Sequence, residues 1–177
     1  PLMVYAMVTP LGKIGCIAFR ENYILQFVEV LTGNIFLTQL KLSDAETIVM
    51  HMRDKEISEN TLVIPFPYTM EHAKTFLEDT LILEEETGVQ KNFAIRNSDG
   101  ILMGIIGIHF NYGFEATKSE FGYWLGKKYW NQGVMTKTIE LFTELVKEKY
   151  NLRILEAYVF YFNNTSMHVL KKCGFMQ

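Results

Sequence analysis

The sequence predicts an α/β fold in which a mixed, twisted sheet is flanked by helices. The segment 120–125 is aromatic and apolar and too short before Gly126 to be a helix, so it predicts a buried strand. From Val134 to about Lys149, apolar residues recur at steps of three and four, which indicates a helix buried along one side. The strand-like segment 153–160 follows after a short connection at 150–152. A strand, helix and strand joined so closely predict two parallel neighbouring strands.

Local signals predict the remaining elements. In chain order we expect an alternating strand at 34–40, a helix begun by a capping box at 43–46, a stiff loop at 61–68, and a helix from Met70 to about Glu86 capped by Thr69. Strands at 91–96 and 101–110 follow, joined by a hairpin turn at 97–100, and another turn is expected at 111–113. The last element is a short helix at 165–173, with Asn164 as its N-cap and Gly174 as its stop. The predicted order is one strand, two helices, three antiparallel strands, a helix, a parallel strand and a helix.

Composition excludes several classes of protein. A chain of 177 residues is long enough for one stable domain, and we place that domain at 33–177, with 1–32 as an extension of uncertain origin. The net charge of -3 does not favour a nucleic-acid partner. Charged residues and Pro10 interrupt the apolar N-terminal segment, which argues against a membrane span or a signal peptide. Only Cys16 and Cys173 are present, without metal-ligand spacing, which predicts a metal-free protein of the reducing cytoplasm.

The start of the helix at Val134 is a candidate anion site. Asn131, Gln132 and Gly133 lie where the first helical N–H groups have no acceptor within the helix. Those donors and the positive end of the helix dipole attract phosphate, and Gly133 allows a close approach to the backbone. A lone glycine at a helix start also serves ordinary turns, so from this segment alone both interpretations stay open.

Three motifs in order resemble a known family. They are EFGYWLG at 120–126, YWNQGVMT at 129–136, and the spaced residues Asn164, Ser166, Val169, Leu170, Lys172, Gly174 and Phe175. Together these resemble the GNAT superfamily of acetyl-CoA-dependent N-acetyltransferases, in the branch that contains the ribosomal-protein-alanine acetyltransferases. The resemblance implies the GNAT fold over roughly Gly33 to the C-terminus, with the family's final strands absent. Without them, the strand at 153–160 is expected to have an unpaired edge.

The resemblance also implies a site for acetyl-CoA. The pantetheine arm is expected along the backbone at Trp124 and Leu125, and the pyrophosphate on the motif whose members are Asn131, Gln132, Gly133, Val134, Met135 and Thr136. Asn164 and Lys172 are further expected cofactor contacts, although an N-cap role alone would explain Asn164. In many members of the family a tyrosine four residues before the Gly-Phe pair acts as the general acid. Leu170 replaces it here, so another group must protonate the leaving thiolate.

The expected chemistry is direct attack of a primary amine on the thioester, without a metal. Glu120 is the candidate general base because desolvation in an aromatic strand raises a carboxylate's proton affinity; its alternative role is that of a solvent-facing strand residue. Ser166 is the candidate proton donor to the thiolate, or simply a residue of the first helical turn. Cys173 is expected to pack rather than act as a nucleophile.

The acceptor is not specified by the sequence. Phe66 and Tyr68, in the proline-rich loop, are candidate substrate-binding residues, or else they pack on the sheet. A protein N-terminus and small-molecule amines both remain possible acceptors, and the protein is expected to be a monomer or a homodimer. A different class of function also stays open: a catalytically inactive module that binds acetyl-CoA or another partner.

Overall fold

Seven strands and five helices make up the part of the chain that the computed structural model describes, residues 2–7, 30–32, 34–110 and 117–176. Two 3₁₀ turns, Leu42–Asp44 and Lys127–Tyr129, accompany them. The strands are β1 Leu2–Met7, β2 Val30–Thr32, β3 Ile35–Thr38, β4 Asn92–Arg96, β5 Leu102–His109, β6 Lys118–Leu125 and β7 Ile154–Val159. The helices are α1 Ala45–His51, α2 Lys55–Glu59, α3 Met70–Thr87, α4 Val134–Tyr150 and α5 Asn164–Lys172.

All seven strands form one mixed sheet, in the spatial order β1-β7-β6-β5-β4-β3-β2. β6 and β7 are parallel, as the crossover through α4 requires, and every other described neighbouring pair is antiparallel. The predicted mixed sheet with flanking helices is therefore confirmed. None of the helices in the described part of the chain is long and apolar enough to cross a bilayer.

Apolar cores cover both faces of the sheet. On one face, α4 packs Ile139 and Phe142 against Phe93 and Phe121, with the Phe121 and Phe142 rings 5.7 Å apart. On the other face, α1 and α3 pack against the centre of the sheet through a second set of buried residues: Ile48, Met52, Ala73, Leu77, Ala94 and Ile105. Because successive strand residues alternate between faces, the central strands β4 and β5 contribute buried residues to both cores.

Most predicted elements form close to their expected limits. The three antiparallel strands, the crossover and the helix α4 are confirmed. Thr69 caps α3 as predicted, because its Oγ1 accepts a hydrogen bond from the His72 N–H. Gly100 takes a positive φ of 76° in the predicted hairpin turn. The turn predicted at 111–113 lies outside the described residues, as does the segment 8–29.

Two predicted caps are wrong. The capping box at Ser43 does not form, because Asp44 instead accepts a hydrogen bond from the Lys41 N–H at 2.8 Å. Asp44 is buried and also holds the Arg96 guanidinium of β4 through two contacts, at 2.7 and 2.9 Å. α5 is capped by Asn163 rather than by Asn164, since the Asn163 Oδ1 accepts from the Ser166 N–H.

The prediction of an unpaired edge on β7 is also wrong. β1 pairs antiparallel with the whole of β7, from Leu2 opposite Val159 to Met7 opposite Ile154. The opposite edge of the sheet is β2, which pairs with β3. Parts of the segment 1–32 thus belong to the sheet, while the domain boundary assigned at 33 stays a prediction.

Candidate active site

A cleft opens where β6 and β7 diverge. The two strands pair only at their first residues, and the last pair is Glu120 opposite Glu156. Beyond it, β6 continues to Leu125 and β7 to Val159 without pairing to each other. We call this opening the β6–β7 cleft.

Backbone groups of β6 face this cleft. Gly126 donates its N–H to the Met103 carbonyl of β5 at 2.8 Å, so alternation directs the backbone groups of Tyr123 and Leu125 away from β5. By the same alternation the backbone groups of Trp124 are directed toward β5 rather than into the cleft. The Leu125 carbonyl already accepts a hydrogen bond from the Trp130 indole at 2.7 Å. Tyr123 and the Leu125 N–H therefore present the groups with which an extended ligand could pair.

The start of α4 lies at one end of the cleft and has the features of an anion site. Gly133 occupies the N-cap position with a positive φ of 75°, and no side chain caps the helix there. The first N–H groups of α4, those of Val134, Met135 and Thr136, therefore donate to no capping side chain. They are the donors that a phosphate group would use.

The helix α5 forms the opposite wall of the cleft. Its first turn carries Ser166 and its last turn carries Lys172, which adds positive charge. Between the walls is a cavity of about 640 Å³. Ten of the residues predicted to serve catalysis or cofactor binding line it: Trp124, Leu125, Asn131, Gly133, Val134, Met135, Thr136, Asn164, Ser166 and Lys172.

Four predicted site residues are not among those lining this cavity. Gln132 is exposed and its side-chain amide donates to the Lys128 carbonyl. Phe66 is largely exposed, while Tyr68 packs onto the core beneath α1 and α3 and contacts the His72 ring. The fourth is Glu120, discussed next.

Glu120 lies at the point where the cleft begins. It is half-buried on the face of the sheet opposite α4, since its neighbour Phe121 packs against that helix. It is opposite His109 on β5 and Glu156 on β7, so the three side chains share a face. Glu156 is buried, and its carboxylate is 2.7 Å from the Lys118 ammonium. Two carboxylates and a histidine thus meet beside the end of the β6–β7 pairing.

Cys173 does not have the properties of a nucleophile. It is half-buried at the end of α5, and its Sγ is 3.6 Å from the Thr136 carbonyl. Burial and the charge of Glu140 raise the pKa of the Cys173 thiol to about 11, so the reactive thiolate is scarce at neutral pH. Within the described residues, no cluster of His, Cys, Asp or Glu could hold a metal ion.

Sequence reasoning missed several cavity residues. Tyr123 and Asn163 line the cavity, as do Ile57, Asn60 and Thr61 at and after α2. α2 has five residues and one buried side chain, too little for a recognisable helical period. An ion pair between Glu56 of α2 and Lys127, at 2.6 Å, joins this short helix to the turn after β6. Tyr123 lies within the EFGYWLG motif, two residues after Phe121, and this spacing places both side chains on the same face of the strand.

A sequence model of a known protein family identifies the family of this chain. The model of the acetyltransferase (GNAT) domain matches residues 34–176, most of the chain. The chain belongs to the GNAT acetyltransferase family. The match spans the sheet from β3 to β7 and both helices that wall the cavity, so the GNAT domain contains the whole candidate site.

Solved structures share the GNAT fold. A GNAT acetyltransferase from Bacillus anthracis superposes with a TM-score of 0.71 at 19% identity, over 83% of this chain and 82% of that one. The ribosomal-protein-S5-alanine acetyltransferase from Vibrio fischeri gives 0.70 at 20% identity, over 83% and 82%. The microcin C7 self-immunity acetyltransferase, solved with acetyl-CoA and AMP, gives 0.67 at 18% identity, over 81% and 79%. No curated protein matches at a significant level.

Proposed function

We propose that this GNAT domain transfers the acetyl group of acetyl-CoA to a primary amine by direct attack. The observation that carries the proposal is the divergence of β6 and β7 beyond Glu120, beside the uncapped start of α4. An extended pantetheine arm would lie between the strands and pair with the backbone groups of Tyr123 and with the Leu125 N–H, since the Leu125 carbonyl is bonded to the Trp130 indole. The pyrophosphate then lies on the N–H groups of Val134 to Thr136.

Two kinds of acceptor are consistent with the solved relatives. One relative acts on a ribosomal protein, and another confers immunity to microcin C7. We therefore propose a protein N-terminus or a small-molecule amine as the acceptor of this chain. In either case the amine approaches from the face that carries Glu120, because α4 and α5 occupy the opposite face, whereas α1 and α3 pack against the centre of the sheet and leave Glu120 partly exposed.

Glu120 is the proposed general base. It takes the proton from the attacking amine, directly or through a water molecule, while the new C–N bond forms and the C–S bond breaks. Its position at the last β6–β7 pair is where an acetyl group would emerge from the cleft onto the acceptor face. The electron pair of the broken bond passes to sulfur, so CoA leaves as a thiolate, which takes up a proton from solvent after release.

The first test is acetyl-CoA binding. A ligand that binds only the folded state stabilises it by about 2.7 kcal/mol at 100 times its dissociation constant. For a domain of this size that raises Tm by roughly 5 to 11 °C. No shift at saturating acetyl-CoA would contradict the proposal.

The second test separates an enzyme from an inactive binding module. Glu120→Gln keeps the side-chain shape but cannot accept a proton, so turnover at neutral pH should fall by roughly 100-fold or more with acetyl-CoA binding retained. The deficit should shrink as pH rises, because more of the amine is already neutral. Glu78→Gln, on the exposed face of α3, is the matched control. Binding without turnover by the wild type, over a panel of peptide and small-molecule amines, would favour the inactive module.

A further inference from the structure

The phenol of Tyr123 is directed from β6 into the cofactor side of the cleft. Tyr123 lies beyond the last residue that pairs with β7, and its ring stacks with that of Phe121 at 6.1 Å on the face covered by α4. It lines the cavity together with Ser166 and Asn163 of the opposite wall. The backbone groups of Tyr123 therefore face the cleft between the strands, while its side chain lines the cavity on the α4 face of the sheet.

The hydroxyl of this phenol has no hydrogen-bond partner among the described residues, although its oxygen is buried. A buried polar atom without a partner destabilises the folded state, and such atoms are uncommon in folded proteins. Phenylalanine would fill the same space without that cost. The hydroxyl is thus oriented for a group that enters the cavity rather than for the protein's own packing.

The phenol stays protonated throughout the physiological range. Burial raises the pKa of Tyr123 to about 12, and the polar side chain of the neighbouring Ser166 opposes this rise to a smaller extent. Ser166 is near enough to lower the pKa but does not complete hydrogen-bond geometry with the phenol. Tyr123 therefore has a donor available at every pH at which the enzyme would work.

We infer that the Tyr123 hydroxyl donates a hydrogen bond to the sulfur of acetyl-CoA and stabilises the CoA thiolate as it leaves. This rests on the proposed acetyl transfer. As the amine nitrogen bonds to the carbonyl carbon, the C–S bond breaks and its electron pair passes to sulfur. The amine's proton goes to the general base, and the phenol keeps its own proton while it donates to the sulfur.

Donation, not proton transfer, is the role that the pKa allows. A thiol has a pKa near 8.5, against about 12 for this phenol. Moving the proton fully from Tyr123 to the thiolate is therefore unfavourable by about 10³- to 10⁴-fold. A hydrogen bond to a charged acceptor needs no such transfer and is among the stronger kinds in proteins.

Tyr123→Phe tests this role with two readouts. We expect kcat to fall by about 10- to 100-fold, while acetyl-CoA affinity changes less than threefold, since the hydrogen bond strengthens as charge develops on sulfur. The pKa of the CoA thiol in the complex, followed by its ultraviolet thiolate absorbance, should rise by about 1 to 2 in the variant.

A matched control distinguishes this role from packing. Tyr150 is another partly buried tyrosine of the same core, but its hydroxyl already donates to the Gln90 carbonyl. Tyr150→Phe loses that bond, so it should lower the Tm and leave kcat and the thiol pKa unchanged. Tyr123→Phe loses no bond within the protein, so without CoA its Tm should equal or exceed that of the wild type.

The results that overturn the inference are distinct from those that overturn acetyl transfer. If the wild type binds and turns over acetyl-CoA but Tyr123→Phe has the same kcat and the same bound-thiol pKa, the phenol does not stabilise the sulfur. If the wild type does not bind acetyl-CoA, the proposed function fails and this inference fails with it.

Discussion

Gly126→Ala should destabilise the fold by forcing a side chain against His51. Gly126 has φ -56° and ψ 134°, which any residue can adopt, so its backbone does not require glycine. The obstacle is steric. A Cβ on Gly126 would lie 2.4 Å from His51 Nδ1 and 2.6 Å from its Cε1, far inside contact distance.

The cost follows from how His51 is held. The imidazole is buried, its Nε2 is 3.1 Å from the Leu102 carbonyl, and its ring contacts those of Trp124 and Tyr129. Moving the ring gives up a hydrogen bond of about 1 kcal/mol and adds overpacking of about 1 to 3 kcal/mol. We expect a loss of about 2 to 4 kcal/mol in the free energy of unfolding, or roughly 4 to 16 °C in Tm.

A double-mutant cycle measured by urea denaturation tests the steric explanation. In His51→Ala the obstructing ring is gone, so adding Gly126→Ala there should cost less than about 0.5 kcal/mol. Gly122→Ala is the control, because its Cβ would lie 3.3 Å from the exposed His109 ring, which can move. If the two costs at positions 51 and 126 simply add, within about 0.5 kcal/mol, the reasoning is refuted.

Three further predictions concern the anion site, a buried ion pair and pH. Gly133→Val should weaken acetyl-CoA binding at least tenfold, measured by calorimetric titration, while the positive φ costs about 1 to 2 kcal/mol of stability; unchanged affinity would leave the glycine a turn residue only. Asp44→Ala leaves the buried Arg96 cation without its carboxylate and should cost about 3 to 5 kcal/mol in urea denaturation, whereas a loss below 1 kcal/mol would contradict this. Burial lowers the pKa of His51, so the unfolded chain binds its proton more readily, and stability should fall as pH drops below 6.5 toward the folded-state pKa. His51→Asn should flatten the stability profile between pH 6.5 and 5.5, and an unchanged slope would exclude this histidine as its cause.

Local periodicity was enough to predict the elements that build the cleft. α4 has an apolar stripe over several turns, and β6 combines aromatic residues with a following glycine, so neither needed tertiary information. The candidate anion site could be proposed from sequence because Gly133 and the helix start are adjacent in the chain. What local signals could not supply was which contacts form between distant segments.

The errors have that common physical origin. β1 is apolar throughout, without alternation, and its pairing with β7 joins residues about 150 positions apart. Asp44 was predicted to belong to a local cap, but a buried Arg96 on β4 competes for its carboxylate. Asn163 and Asn164 have the same capping chemistry, so only the path of the chain into α5 decides between them.

In the proposed reaction, the register of β5 against β6 determines which side chains meet the cofactor and which meet the acceptor. Alternation along β6 places Phe121 and Tyr123 on the α4 face and Glu120 on the other, so a slip by one residue would exchange the two sets. Gly104 permits the observed register, because a Cβ there would lie 2.3 Å from the Trp124 carbonyl. The Ser119 hydroxyl reinforces it by donating to the His109 carbonyl at 2.7 Å. Under the proposed function, binding of CoA and removal of the amine proton would therefore fall on opposite faces of one strand, and the strand's pairing, rather than any single side chain, would keep them apart.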